Sequence, residues 1–407
     1  MTAAKRPGSG QGQRAAQGGA ADPGSGPRKD DEQPAARAAG VTEGIAIAEH
    51  KGRRERLRAR LGDRGLDALL VTDPVNVRWA TGFSGSNGQL LLRTDRDDVL
   101  ITDARYDARA QAEAPDLARV LRRDPFGVAL ERLEPPFRLG FEAEHLTWAA
   151  GQRLRECVIE VGGAAVPTSG EVEALRLVKD DAELALLREA CAITTSALAW
   201  LFDEVLRPGM TEREVARRLE DRFVELGAEA AAFDTIVASG PNGAIPHHAP
   251  SDRKLRLGEV VTIDCGARVG GYHADCTRNV ALGHPPDLLA DVHEVVCRAQ
   301  AAGRQAAEAG ATGGDVDAAA RIVIEKAGFG AEFVHGTGHG VGLEIHEAPA
   351  VSRGAPATLA AGMTLTVEPG VYLPGVGGVR IEDTVEVTAD GPASPLTDLP
   401  RELRLLS

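Results

Sequence analysis

Val260-Val261-Thr262-Ile263-Asp264 reads as an apolar strand that ends in a carboxylate. Gly270-Gly271 follows as a hairpin turn signal, and the return strand carries Asp275. In such a hairpin the two Asp residues can face one another, eleven positions apart in sequence. Carboxylates that close repel strongly unless a cation or a proton sits between them. Taken alone, the pair reads first as two solvated strand-end carboxylates. Three further segments repeat the pattern. Phe333-Val334-His335-Gly336-Thr337-Gly338-His339-Gly340-Val341-Gly342 places imidazoles in a glycine-rich stretch, where backbone can approach a ligand or another strand closely. His346 follows seven residues after His339. Leu365-Thr366-Val367-Glu368-Pro369-Gly370 again delivers one carboxylate before a turn. In Gly378-Val379-Arg380-Ile381-Glu382-Asp383, Arg380 and Glu382 are two apart and share one face of a strand, where Arg380 can hold a carboxylate in place.

Asp264, Asp275, Glu368 and Glu382 with His339 make an oxygen-rich donor set. It suits a pair of Mn²⁺, Co²⁺, Zn²⁺ or Fe²⁺ ions better than a thiolate zinc site. Two such ions ~3.5–4 Å apart polarise a carbonyl and generate hydroxide at neutral pH, which is hydrolytic chemistry. Cys265 and Cys276 each follow a proposed ligand, so strand alternation turns them away from the ions and into the core.

Outward from these segments, residues 333–390 read as strands, 287–327 as helices, and 230–283 as strands and turns. Helix signals run from Glu171 to Gly227, with a break at Pro208-Gly209. Runs of helix then runs of strand point to an α+β domain over 171–407. Over 45–170 the alternation is different. A helix over Ile47–Gly62, a buried strand at Leu66–Asp73, strands at Gln89–Arg93 and Asp98–Thr102 and a helix over Asp103–Glu113 predict an α/β domain with a partly parallel sheet. Residues 1–40 hold ten Ala, eight Gly and four Pro, and no aromatic residue precedes Trp79. Such a segment cannot bury enough apolar surface to offset its ordering entropy, so 1–44 is expected to be a disordered tail.

Composition narrows the class. The chain has 407 residues, 46 basic against 60 acidic side chains, and a net charge of −14. That argues against a nucleic-acid surface and against a polybasic membrane patch. No uninterrupted apolar run approaches the ~18 residues needed to cross a bilayer. Five Cys without paired spacing indicate neither a disulfide scaffold nor a CxxC zinc module. A cytoplasmic setting is expected.

With these motifs in this order, the chain resembles the pita-bread metallopeptidases, the group of methionine aminopeptidase, aminopeptidase P and prolidase. The resemblance implies an α+β pita-bread catalytic domain preceded by an α/β creatinase-type N-terminal domain. For the latter it rests on Asn76-Val77-Arg78-Trp79-Ala80-Thr81-Gly82-Phe83-Ser84-Gly85-Ser86-Asn87-Gly88 and Thr102-Asp103-Ala104-Arg105-Tyr106. Carried over by position, it makes Asp264 a ligand of one metal, Asp275 and Glu382 bridges between two, and His339 and Glu368 ligands of the second. Glu368 matches the proton shuttle. His247, in Gly243-Ala244-Ile245-Pro246-His247, and His335 and His346 match histidines that orient the peptide carbonyl and stabilise the tetrahedral intermediate. Spacing to Asp264 favours His247 over His248 for that role. Arg380 matches an arginine beside the last ligand.

The reaction implied is hydrolysis of an N-terminal Xaa-Pro bond by a hydroxide bridging two divalent metals, Mn²⁺ foremost. Substrates would be short peptides with proline second. A neighbouring subunit's N-terminal domain is expected to help close the site, hence a homodimer or homotetramer. A prolidase benefits from a cation gripping the dipeptide carboxylate. His346-Glu347-Ala348-Pro349 is followed by Ala350, and the next basic residue is Arg353. On that ground the aminopeptidase reading stands ahead of the Xaa-Pro dipeptidase (prolidase) alternative. A metal-free peptide-binding module of the same fold is expected to drop ligands, and all five are present. A phosphoesterase is expected to carry a glycine-rich anion loop or clustered Arg and Lys near the ligands, which are missing here.

Overall fold

The structure, a computed structural model, describes residues 35–406. Of the segment 1–44 read as a tail, residues 1–34 lie outside the described residues. Residues 35–44 belong to helix α1 (Ala35–Asp63), so the tail boundary shifts. Ala35-Ala36-Arg37-Ala38-Ala39 is made of strong helix formers, and that propensity continues the helix beyond its apolar stretch.

The N-terminal unit continues with β1 (Ala68–Val71), α2 (Pro74–Thr81), β2 (Gly88–Arg93), β3 (Val99–Thr102), α3 (Asp107–Glu113), β4 (Ala118–Leu121), α4 (Pro125–Leu130), β5 (Arg138–Glu142), α5 (Trp148–Glu160) and β6 (Ala164–Thr168). The sheet order is β4-β3-β2-β1-β5-β6. The pairs β1/β5, β3/β4 and β5/β6 are parallel, whereas β1/β2 and β2/β3 are antiparallel. The partly parallel sheet expected from alternation is present. Leu69 and Leu90 pack into one buried cluster while Leu70 and Leu91 pack into another on the opposite face. Both faces are therefore covered, which explains why these strands read as continuous apolar runs.

The second unit begins with α6 (Glu173–Arg176), α7 (Asp181–Trp200) and α8 (Glu212–Glu225). Capping boxes start α7 (Asp180 with Glu183) and α8 (Thr211 with Glu214). Strands β7 (Ala230–Ala231), β8 (Ile236–Ser239), β9 (Glu259–Cys265), β10 (Ala267–Val269), β11 (Tyr272–His273) and β12 (Cys276–Leu282) follow. Helices α9 (Asp287–Ala306) and α10 (Gly313–Lys326) separate them from β13 (Gly338–Gly340), β14 (Glu347–Val351), β15 (Thr364–Val367), β16 (Gly370–Leu373), β17 (Gly377–Arg380), β18 (Asp383–Glu386), β19 (Ser394–Pro395) and β20 (Arg404–Leu406).

The two helix pairs back different sheets. Side chains of α7 and α8 share a core with β9 and β12 of the sheet β20-β12-β9-β8. Side chains of α9 and α10 pack behind β15 to β18 of the sheets β14-β13-β15-β18-β19 and β16-β17. The helix running Asp181–Val205 is long and apolar enough to span a membrane by length and composition alone. Its Leu187, Ala190, Cys191, Ala197, Leu198 and Leu201 are fully buried against the protein, which accounts for that apolarity as core packing. Ion pairs join the two units: Arg53 of α1 reaches Asp180 at 2.9 Å, and Arg60 reaches Glu171 at 3.1 Å.

Candidate metal centre and its cavity

Gly270 and Gly271 take φ of 57° and 85°, the left-handed pair a tight hairpin turn requires. That two-residue turn sets the register. Val269 pairs with Tyr272, Cys265 with Cys276, and Asp264 with Thr277. Asp275 therefore lies two residues from Asp264's partner: the two Asp share a face but sit diagonally, not directly opposite as the hairpin pattern suggested. Cys265 and Cys276 point to the other side and are fully buried. Burial drives the Cys276 thiol up to about 12, so it stays protonated and inert.

His339 comes from β13, which is squeezed between β14 and β15. A Cβ on Gly338 would lie 2.0 Å from the Thr366 carbonyl oxygen, and one on Gly340 would lie 2.1 Å from that of Ala348. The glycines flanking His339 are thus dictated by backbone approach. The ladder shifts register between His339 and Gly340, the kind of irregularity that re-aims a side chain. Glu368 follows the end of β15, and Glu382 occupies the corner between β17 and β18. The five side chains arrive from separate strands and line one cavity of about 800 Å³.

The donors fit a divalent cation. Asp275, His339 and Glu382 offer ligand atoms that all lie within 4.8 Å of one another. His339 Nδ1–H donates to the Gly340 carbonyl at 2.9 Å, leaving Nε2 free to ligate. That Nε2 faces Glu368 Oε1 at 3.3 Å and Asp275 Oδ2 at 3.6 Å. Asp264 Oδ2 accepts from Arg380 at 2.6 Å, while its Oδ1 is buried with no hydrogen-bond partner. A buried carboxylate oxygen with no hydrogen-bond donor is the kind of acceptor that a divalent cation would satisfy. Burial, then the neighbouring carboxylates, push the Asp275 and Glu382 carboxyls well above their ordinary range. Burial also pushes Glu368 up, but the hydrogen bond and charge of His339 outweigh it and hold that carboxyl below its usual value.

His247, His335 and His346 line the same cavity, as does Arg380, so all nine residues singled out from the sequence meet there. His346 packs edge-on to His339, with ring centroids 4.4 Å apart. His248 differs from His247: its Nε2 is tied to Glu212 at 2.8 Å. The strand-sharing expected of Arg380 and Glu382 becomes a bridge through Thr277, whose hydroxyl accepts from Arg380 Nε at 3.1 Å and donates to Glu382 Oε2 at 2.7 Å.

Sequence reasoning missed several partners. Tyr372 accepts from Arg380 at 2.9 Å, which directs its hydroxyl proton to His335 Nε2 at 2.8 Å. Asp317 and Arg321 of α10 form a buried pair, and Arg321 donates to the carbonyls of Phe333 and His335. Glu347, beside His346, pairs with the buried Arg176 and with Lys179 at 3.2 Å. Tyr372, four residues after Glu368, and Glu347, directly after His346, stand near recognised motifs, whereas Asp317, Arg321, Arg176 and Lys179 read in sequence as ordinary charges.

Known proteins resemble this chain in sequence and fold. The chain matches the Creatinase/Prolidase N-terminal domain over residues 53–178 and Metallopeptidase family M24 over residues 185–389. It is 35% identical over 355 residues to the Xaa-Pro dipeptidase of Pyrococcus furiosus, covering 87% of this chain and 99% of that protein. The solved Xaa-Pro dipeptidase from Bacillus anthracis superposes with a TM-score of 0.83 at 38% identity, covering 88% of this chain and 100% of that one. The X-Pro aminopeptidase from Thermotoga maritima MSB8 gives 0.80 at 35% identity, covering 87% and 99%. The pita-bread expectation and the creatinase-type first domain both hold, and the chain belongs to metallopeptidase family M24.

Proposed function

We propose that this metallopeptidase hydrolyses the bond preceding proline in short peptides, with Xaa-Pro dipeptides as preferred substrates. The observation that carries the reading is the convergence of five metal-type ligands and three histidines on one cavity of about 800 Å³, a size for small ligands. Ala350 stands where a prolidase benefits from a basic residue, which favours the aminopeptidase reading. The relatives weigh toward the dipeptidase alternative, since the Pyrococcus furiosus and Bacillus anthracis proteins both carry that name. Arg353 does not line the cavity and pairs with Glu325 at 2.8 Å. Arg217 of α8 does line it and has no ion-pair partner among the described residues, which offers a cation to a substrate carboxylate.

Two divalent ions, Mn²⁺ in the first instance, would be held by Asp264, Asp275, His339, Glu368 and Glu382. When bound they supply Lewis acidity and an acidified water. Glu368 takes up a proton and returns it to the leaving proline nitrogen. His247 and His346 donate to the oxygen of the scissile carbonyl as charge develops on it. Arg380 holds Asp264 and, through Tyr372, the ring of His335. A proline nitrogen in peptide linkage offers no N–H, so recognition falls on the ring, against apolar wall residues such as Phe233, Ile236 and Ile345. A cytoplasmic setting belongs to the same reading, supported by five cysteines that are all free. So does assembly as a homodimer or homotetramer.

The test is turnover of free-acid Xaa-Pro dipeptides beside Xaa-Pro-Yaa tripeptides with added Mn²⁺. Dipeptides are expected to show kcat/KM at least ~10-fold higher, a difference of about 1.4 kcal/mol. Tripeptide preference returns the aminopeptidase reading, and no turnover of either ends the Xaa-Pro assignment. His247→Ala is expected to lower kcat ~100-fold, the scale of one lost oxyanion donor, with metal content unchanged by elemental analysis. Loss of metal instead would make His247 a ligand.

A further inference from the structure

Glu212 opens helix α8, where an acidic residue ordinarily serves the helix dipole and faces water. Here it is fully buried and holds a loop. Its Oε1 accepts from the backbone N–H of Ser239 at 2.9 Å, the Ser239 hydroxyl at 2.7 Å and Asn242 Nδ2 at 2.9 Å. Its Oε2 accepts from the backbone N–H of Ser251 at 3.1 Å, the Ser251 hydroxyl at 2.6 Å and His248 Nε2 at 2.8 Å. Asn242 Nδ2 also reaches Oε2 at 3.2 Å, so the one carboxylate gathers both the start and the end of the segment 239–251, with His247 between them. Burial alone would raise this carboxyl; bonds from Ser251, His248, Ser239 and Asn242 outweigh it and hold it down to about 2.

His247 makes no hydrogen bond to other described residues, so its neighbours decide where it points. Pro246 restricts the backbone before it, and Arg380 donates to the Pro246 carbonyl at 3.3 Å. His248, after it, is drawn the other way into the Glu212 cluster. Resting on the reading of His247 as a group that contacts substrate, we propose that Glu212 is a positioning residue, whose carboxylate cinches the 239–251 loop and presents His247 to the scissile carbonyl. Neither a neutral amide nor a shorter acid can replace it. Gln would set an NH₂ among backbone N–H donors, and Asp cannot span both ends of the loop.

A double-mutant cycle tests this on the metal-loaded enzyme, with kcat, KM, metal content and melting temperature read for each variant. Glu212→Gln is expected to lower kcat/KM ~10–30-fold in the wild-type background, as misplacement of a reacting group does. In the His247→Ala background it is expected to cost less than ~3-fold, because the group it positions is gone. Metal content stays full throughout. An equal loss in both backgrounds would falsify the inference, since a merely structural defect multiplies with the loss of His247. Wild-type turnover by His247→Ala removes the underlying reading of His247, and this inference falls with it. If Glu212→Gln does not fold, His248→Ala replaces it in the same cycle. That variant leaves the serine and asparagine bonds intact and is decided by the same criterion.

Discussion

Glu382→Gln is expected to abolish turnover while making the metal-free protein more heat-resistant. Glu382 is buried, and the charges of Glu368 and Asp264 add to burial in opposing its ionisation. An isosteric amide removes one crowded acid and still accepts the Thr277 hydroxyl bond seen at 2.7 Å. Without metal, that relief is expected to raise the melting temperature of the variant above that of wild type. With metal the order reverses. Wild type is expected to gain stability by mass action from ions that bind only the folded chain, and the variant, short of a proposed ligand, to gain little. The loss in kcat is expected to exceed ~1000-fold, because a carboxylate is removed from the group proposed to hold the Lewis acids. Thermal scans with chelator and with Mn²⁺, beside kcat and metal content, check both halves. Full metal occupancy with wild-type kcat would show that Glu382 is not a ligand.

The second large effect concerns Arg380. Its guanidinium donates to Asp264 at 2.6 Å, Tyr372 at 2.9 Å, Thr277 at 3.1 Å and the Pro246 carbonyl at 3.3 Å. One side chain therefore joins β9, β12, β16 and the loop before His247. It is also the cation packed among the cavity's buried acids. Arg380→Met is expected to destabilise the protein by about 3–5 kcal/mol, the range for stripping the partner from a buried charge. It should also cut kcat/KM by ~100-fold or more, since Asp264 and the Tyr372–His335 pair lose their anchor. Arg380→Lys keeps the charge but only part of the fork, so an intermediate loss is expected. Denaturant titration and kinetics at saturating Mn²⁺ measure the two effects. Unchanged midpoints with unchanged kinetics would leave Arg380 an incidental ion pair.

Much of this was legible before any coordinates. Asp264, His339 and Glu368 each sit at the end of a short apolar strand or beside a glycine whose reason is local, so residue type and spacing alone expose them. The Gly270-Gly271 turn even carries its register: centring the hairpin there pairs 264 with 277, a step the simple facing of Asp264 and Asp275 overlooked. The start of α1 was misplaced because composition weighs burial, whereas Ala35–Ala39 extends the helix by propensity. The ordering of aminopeptidase over dipeptidase leaned on Ala350 alone, while a cavity wall is built from elements distant in sequence, Arg217 among them.

Hydrophobic period, turn glycines and a donor set of four acids and one imidazole are properties of short stretches, so the chain by itself determined its two-unit architecture and which side chains are proposed as ligands. The supports behind them were decided only by tertiary packing: Glu212 on His248 beside His247, Arg321 on the His335 carbonyl, Arg176 and Lys179 on Glu347, and Thr277 between Arg380 and Glu382. These groups lie as far as 171 positions from what they hold. A buried charge is tolerated only where the folded chain brings its partners to it, and no local pattern records which partners those will be.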